Sequence, residues 1–206
     1  LSRALRERMA YRVAQRVAHW MRRNNRRGSR RNIAFHYDLG NDFYRLWLDR
    51  GMTYSAGLFE HEHSTLEDAQ AAKYRRLLDM LDPAPGSHLL EIGCGWGGLA
   101  EMAVRERDCR VTALTLSREQ HAYTCERLAR AGLAGQVDVR LQDYRDVTER
   151  FDHVVSIEMF EAVGERYWDA WFASVVRCLR PGGRAAVQVI TIDDEVFPGY
   201  RAGTDF

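Results

Sequence analysis

No apolar run approaches the roughly 18 residues that a membrane-spanning helix needs, so no helical span is expected within these residues. The opening, Leu1-Ser2-Arg3, has no apolar core leading to a small-residue cleavage site, and no secretory leader is expected. Four cysteines, Cys94, Cys109, Cys125 and Cys178, lie scattered without a C-x-x-C pair. That argues against a disulfide framework and for reduced thiols in a cytoplasmic setting. His61-Glu62-His63 has no further ligand type nearby, so a surface turn is expected there and no metal site. Repeats and low-complexity stretches are absent. Lysine occurs once, at Lys73, so all but one of the 30 basic residues are arginine. Guanidinium binds phosphate in a bidentate fork where ammonium acts as a point charge.

What is present suits one sizeable domain with extensions: 206 residues, 46% hydrophobic and 29% charged. The net charge of +1 hides an asymmetry, because residues 1–31 carry eleven arginines against one acid, Glu7. Leu1, Leu5, Met9, Val13, Val17 and Trp20-Met21 recur there at helical spacing, which predicts a basic amphipathic helix. Three roles stay open for it: a helix on an anionic membrane surface, a nucleic-acid patch, or an ordinary packed helix with solvated arginines.

Residues 32–86 read as a helical arm. Asn41 or Asp42 can cap a short helix whose Phe43, Leu46 and Trp47 share a face. Thr53 to Phe59 reads as an aromatic loop, suited either to a lid over an apolar pocket or to a packed arm. Ser64-x-x-Glu67 and Thr65-x-x-Asp68 are both capping-box spacings. They open a helix to about Leu81, with Ala71, Tyr74, Leu77, Leu78 and Leu81 as its inner stripe. From residue 87 strands and helices alternate. Strands are expected at Ser87–Ile92, Arg110–Thr115, Val137–Gln142, Phe151–Glu158 and Arg184–Ile190. Helices are expected near Leu99–Arg107, Arg118–Ala131 and Arg166–Leu179, the last with Trp168, Trp171, Phe172, Val175 and Leu179 on one side. Pro181-Gly182-Gly183 reads as the turn into the final strand. Such alternation predicts an α/β fold with a parallel sheet and a ligand at the strands' carboxyl ends.

Polar residues cluster at those ends. The first strand delivers Glu91 into Gly93-Cys94-Gly95-Trp96-Gly97-Gly98 and then a helix, the arrangement that brings a ligand against bare N–H groups. The second ends in Thr115-Leu116-Ser117 with Gln120 a turn later. The third ends in Gln142-Asp143-Tyr144, and the fourth in Ser156-Ile157-Glu158-Met159-Phe160-Glu161.

These residues resemble a class I S-adenosylmethionine (SAM) methyltransferase. More narrowly, four segments resemble the cyclopropane-fatty-acyl-phospholipid synthases and the mycolic acid cyclopropane synthases. They are His36 to Phe43, Met52-Thr53-Tyr54-Ser55, Gly93 to Gly98, and Leu114 to Ser117 with Gln120. Gln142 to Asp146 and Phe160-Glu161-x-Val163-Gly164 extend the likeness over residues 32–206. The resemblance implies a Rossmann-like, mostly parallel sheet flanked by helices. With the basic helix and linker of 1–31 read above, it divides the rest into 32–86 as helical arm and 87–206 as the SAM-binding core. That core holds five strands where the fold has seven, so the chain is expected to be a piece of a longer protein.

By the same resemblance, Glu91, Gly93, Cys94, Gly95 and Gly97 lie against the methionine part of SAM, with Tyr54 and Ser55 reaching it from the arm. Thr115, Leu116 and Gln120 follow the ribose, Asp143 and Tyr144 flank the adenine, and Ile157 completes the pocket. The implied reaction transfers a methyl group to the cis double bond of an unsaturated phospholipid acyl chain, at the inner face of a membrane. The resulting cation needs an aromatic surround, for which Tyr37, Tyr44, Trp47, Tyr54 and Phe160 are candidates. It also needs a base, which in the family is a bicarbonate held partly by the residue matching Glu161.

The sequence departs from the family in three places. Ala56 and Ala162 stand for Cys and His, and Gln188 stands for a strand histidine. That Cys gives its backbone N–H to the bicarbonate, so Ala56 can do the same. Gln188 keeps a hydrogen-bonding group and loses a titratable one. Catalytic roles therefore fall to Glu161, Gln188 and Tyr54, with the product open between a cyclopropane and a methylene or methyl-branched chain. Three other readings stand beside this one: an amine N-methyltransferase, a nucleic-acid methyltransferase, and a non-catalytic SAM-binding module. The nucleic-acid reading lacks the Asn/Asp-Pro-Pro-aromatic motif after the fourth strand, so no nucleic-acid partner is expected. An unpaired strand edge would allow a homodimer.

Overall fold

The computed structural model describes residues 40–202. The basic helix expected before residue 31 and the segment with His36 and Tyr37 lie outside the described residues. In chain order the elements are α1 (Gly40–Tyr44), α2 (Leu66–Leu81), β1 (His88–Ile92), α3 (Gly98–Arg107), β2 (Arg110–Thr115), α4 (Arg118–Arg130), β3 (Val137–Leu141), β4 (Phe151–Ile157), α5 (Trp168–Cys178), β5 (Leu179–Gln188) and α6 (Phe197–Ala202).

The sheet has the order β3-β2-β1-β4-β5, and every pairing is parallel. Parallel strands covered on both faces read as unbroken apolar runs, and the central strand is Leu89-Leu90-Glu91-Ile92, all buried. Successive side chains point to opposite faces, so Leu89 and Leu90 enter different cores. Leu89 packs with Leu77, Leu78 and Leu81 of α2 and with Leu99, Ala100 and Ala103 of α3. Leu90 packs with Val154 of β4 and with Trp171 and Val175 of α5.

Thr65 rather than Ser64 caps α2: its hydroxyl accepts the Asp68 N–H while the Asp68 carboxylate accepts the Thr65 N–H. Four expectations need correction. The inner face of α2 carries Ala69, Gln70 and Lys73 besides Leu77, Leu78 and Leu81. Phe172 is 53% exposed, and Ser174 and Cys178 share the inner face of α5 with Trp171. In the short helix, Phe43, Leu46 and Trp47 are exposed and Tyr44 is the buried residue, because Tyr44 packs on Trp96 of the glycine loop at 5.0 Å. β5 starts earlier than expected, at Leu179, and the Pro-Gly-Gly turn becomes an irregularity in its pairing: Phe151 faces Leu179, then His153 faces Arg184.

β1 exits through Gly93, Gly95 and Gly97, all at positive φ, a region that other L-residues enter only at a cost. A Cβ at Gly97 would also stand 2.5 Å from Thr124 Cγ2. Gly97→Ala is therefore expected to lower stability by more than about 1 kcal/mol, or roughly 2–4 °C in Tm per kcal/mol. Adding Thr124→Ala should return part of that loss in a thermal melt. A G97A protein that melts like wild type would show that the turn is not constrained as described.

Candidate active site

The loop after β1 is anchored from both sides. Gly93 and Cys94 donate their N–H groups to the Leu114 carbonyl at 3.1 and 2.8 Å. The Thr124 hydroxyl donates to the Gly95 carbonyl at 3.2 Å. Below the loop, Ser156 donates to the Ile92 carbonyl at 2.9 Å, tying β4 to the end of β1. A Cβ at Gly95 would meet nothing within 4 Å, so the loop's outer face is an open cradle of backbone. Beneath it lies Glu91, 4% exposed, whose Oε2 has no hydrogen-bond partner in the protein. Burial pushes its carboxyl up to about 8, against the pull of the Arg127 guanidinium and the Ala100 N–H. Burial likewise raises the Cys94 thiol well above its usual range. An open glycine cradle over a buried acid fits the methionine part of SAM, whose ammonium group can satisfy the acid.

The second and third strands supply the neighbouring wall. Ser117 caps α4 by accepting the Gln120 N–H, and the Thr115 hydroxyl donates to Gln120 Oε1 at 2.9 Å. Thr115 and Gln120 are buried and Leu116 is half-buried. Asp143 is 2% exposed, and its carboxylate accepts the Arg145 backbone N–H at 3.0 Å and the guanidinium at 2.8 and 2.6 Å. Arg145 also stands 5.5 Å over the ring of the half-buried Tyr144. Sequence reading assigned Arg145 no role, and the structure makes it the clamp that holds the Asp143 carboxylate in place.

The arm is laced onto this frame by buried polar groups. Trp96 Nε1 donates to Asn41 Oδ1 at 2.7 Å, and Arg127 donates to the Gly51 carbonyl at 2.7 Å. Asp49 accepts the Gly51 and Thr53 N–H groups at 2.8 and 2.7 Å. Lys73, 3% exposed, donates to Ser55 Oγ and Gln70 Oε1, and Gln70 donates to the Ser55 carbonyl at 2.7 Å. Burial lowers the Lys73 ammonium to about 8, against the attraction of Glu158 and Asp49. Tyr54 is 45% exposed and packs, tilted against Tyr44 and edge-on to Trp47, at 5.7 and 5.4 Å between centroids. Phe160 belongs to a different cluster, with Trp168 and Trp171. The aromatic candidates are thus divided between arm and core.

The exit of β4 meets the arm at Glu158. Met159 lies within about 3 Å of where a Gly93 Cβ would be, which sets this segment against the glycine loop. Glu158 Oε1 accepts the Ala56 N–H at 2.9 Å and Gln188 Nε2 at 2.8 Å. Gln188 Nε2 also reaches the Ala56 carbonyl at 3.3 Å. Glu158 adopts φ +46, a left-handed conformation that costs a non-glycine residue about 1–2 kcal/mol and is found preferentially at functional sites. Glu161 is exposed, and its Oε1 accepts the Ile190 N–H. Ile157, half-buried, ends β4 beside Gln188 in register.

The structure therefore brings Ala56, Glu158 and Gln188 together and holds Glu161 at the end of β5. The bicarbonate expected here does not fit. Its predicted donor, the Ala56 N–H, is spent on Glu158, and so is the side-chain amide of Gln188. Lys73 and Glu158 are the residues that sequence reading undervalued. The solitary lysine in an arginine-rich chain was the available signal for the first. For the second it was a carboxylate immediately after a strand end in the site.

The family model described as Mycolic acid cyclopropane synthetase matches residues 24–199. The chain is 42% identical over 198 residues to Tuberculostearic acid methyltransferase UfaA1 of Mycobacterium tuberculosis, covering 87% of this chain and 46% of that protein. It is 44% identical over 148 residues to the Cyclopropane-fatty-acyl-phospholipid synthase of Escherichia coli K12, covering 72% and 37%. The solved structure of mycolic acid cyclopropane synthase CmaA1 complexed with SAH and CTAB superimposes with a TM-score of 0.71 at 38% identity, covering 73% of this chain and 53% of that one. The chain thus spans about half, or less, of the length of these relatives. With the family match running unbroken from the arm through the glycine loop to the end of β5, the chain belongs to the mycolic acid cyclopropane synthetase family.

Proposed function

We propose that the protein to which this chain belongs is a SAM-dependent C-methyltransferase acting on the cis double bond of unsaturated phospholipid acyl chains. The observation that carries this is the family match, which covers both the glycine cradle and the arm that meets it. Two supports come from the relatives: the fatty-acyl and tuberculostearic lipids in their names, and SAH, the demethylated form of SAM, in the CmaA1 structure.

SAM, when bound, supplies an electrophilic methyl group on sulfur. The chain's own residues do the rest. Gly93, Cys94, Gly95 and Gly97 offer open backbone to its methionine part, with Glu91 beneath and Tyr54 and Ser55 above. Thr115, Leu116 and Gln120 face the ribose, Asp143 and Tyr144 the adenine, and Ile157 closes the pocket beside the reacting end. Tyr54 and Trp47 present aromatic faces to an acyl chain entering from the arm side, where Leu46, Leu58 and Phe59 are also exposed. A desolvated cation–π contact contributes about 2 kcal/mol to holding the positive charge left on the alkene. Glu161 orients the end of β5 through Ile190.

Among the described residues no helix is long and apolar enough to cross a membrane. Delivery of the acyl chain falls to peripheral binding at an anionic cytoplasmic membrane surface, supported by the eleven arginines of residues 1–31. A homodimer along an exposed edge of the sheet is compatible with this arrangement. The product is a cyclopropane or a methylene or methyl-branched chain.

Full-length protein incubated with SAM and oleoyl phospholipid should add one methylene unit to the acyl chain, read by mass spectrometry. Methylation of amines with no gain on lipid would overturn the proposal. A second test addresses Glu91. Its carboxyl is raised in the folded state to about 8 from 4.5, so the folded protein holds a proton that the unfolded chain releases between those values. Ligand-free protein is therefore expected to lose the Glu91 contribution to stability as pH rises from 4.5 to 8. Glu91→Gln should lack that fall, so the wild-type-minus-variant difference in stability should decline over the same pH range. A wild-type-minus-variant difference that is flat with pH would contradict the buried, proton-holding acid.

A further inference from the structure

We propose that Glu158 is the base of this enzyme, a carboxylate built into the chain at the place where a bound anion would otherwise be recruited. The inference rests on the methyltransferase reading above and extends it. Two observations carry it. The Ala56 N–H, the donor expected to serve the anion, and the Gln188 Nε2 amide converge on one oxygen of Glu158, at 2.9 and 2.8 Å. The residue also holds this position from a left-handed backbone, φ +46, where glycine would sit without strain. A side chain retained in an unfavourable conformation, aimed at the junction of arm, β4 and β5, points to a functional demand on that side chain.

Position adds to the case. Glu158 follows β4 directly, its own N–H bonded to the Gln188 carbonyl at 2.9 Å, and its neighbour Met159 packs against Gly93. Glu158 thus directly precedes the residue packed on the glycine loop and bonds to Ala56, two residues after Tyr54. The buried Lys73, fixed on Ser55, attracts the same carboxylate from beneath the arm.

The step balances without another reactant. The alkene π pair forms a bond to the methyl carbon as the carbon–sulfur bond breaks, leaving a neutral thioether and a cation on the adjacent acyl carbon. The free oxygen of Glu158 takes a proton from the transferred methyl group. The electrons of that C–H bond close a three-membered ring onto the cationic carbon, or, after a 1,2-hydride shift has moved the cation to the carbon bearing the methyl group, form a methylene double bond. Glu158 ends protonated and returns its proton to solvent.

Glu158→Gln keeps an oxygen for Ala56 and Gln188 but cannot take the proton. Glu158→Gly relieves the backbone and vacates the donors. The test uses full-length protein, oleoyl phospholipid vesicles and SAM, in buffer stripped of carbon dioxide and then with added bicarbonate. Wild type should be indifferent to bicarbonate. E158Q should lose roughly a hundredfold or more in kcat while binding SAM normally by calorimetry. E158G should be inactive when stripped and regain turnover saturably as bicarbonate fills the vacated donors. The assignment is overturned if wild type slows when bicarbonate is removed, or if E158Q turns over lipid at the wild-type rate. Wild type that binds SAM but methylates no acyl lipid would instead overturn the methyltransferase reading, and the base with it.

Discussion

Everything in this chain depends on the point where the sheet reverses its order. The chain runs outward from β1 to β2 to β3, then returns to lay β4 on the other side of β1 and β5 beyond it. Parallel strands with crossover helices put their carboxyl ends on one edge, and the reversal opens a crevice between the ends of β1 and β4. Glu91 and the glycine loop leave one lip, and Glu158 and Met159 leave the other. The Ser156 hydroxyl, bonded to the Ile92 carbonyl at 2.9 Å, joins the two lips at their base.

The arm completes this crevice because polar groups, rather than apolar packing alone, hold it there. Asp49, Gln70, Lys73 and Arg127 each bond to the arm's backbone or hydroxyls. Burying such groups is costly unless they are paired, so the arm is specified in one register against α2 and the glycine loop. That register delivers the Ala56 N–H to Glu158. A loop held by apolar contacts alone would leave the position of one N–H loosely determined.

The core was readable from the sequence because its signals are local. Leu89-Leu90 announces a buried parallel strand, Thr65-x-x-Asp68 a helix cap, and Gly93-x-Gly95-x-Gly97 a turn to a ligand. What sequence reading misjudged depends on contacts between distant residues. Lys73 and Gln70 sit on the inner face of α2 because Ser55, eighteen and fifteen residues upstream, is there to receive them. Tyr44 turns inward, and Phe43 and Trp47 outward, because Trp96 closes over Tyr44 from the glycine loop. In the sequence Glu158 is only one of the residues that end the fourth strand, since its partner Ala56 lies 102 positions away. Family resemblance supplied the anion site, and the departures at Ala56, Ala162 and Gln188 mark where this chain arranges that site differently.

The most direct measurement is a crystal structure of the full-length protein with S-adenosylhomocysteine, grown in bicarbonate. The expected result is the ligand's methionine part along Gly93 to Gly97, with the Glu158 carboxylate still bonded to the Ala56 N–H and Gln188 and no separate anion beside it. A planar carbonate seated between Ala56 and Gln188, with Glu158 turned away, would contradict the built-in base.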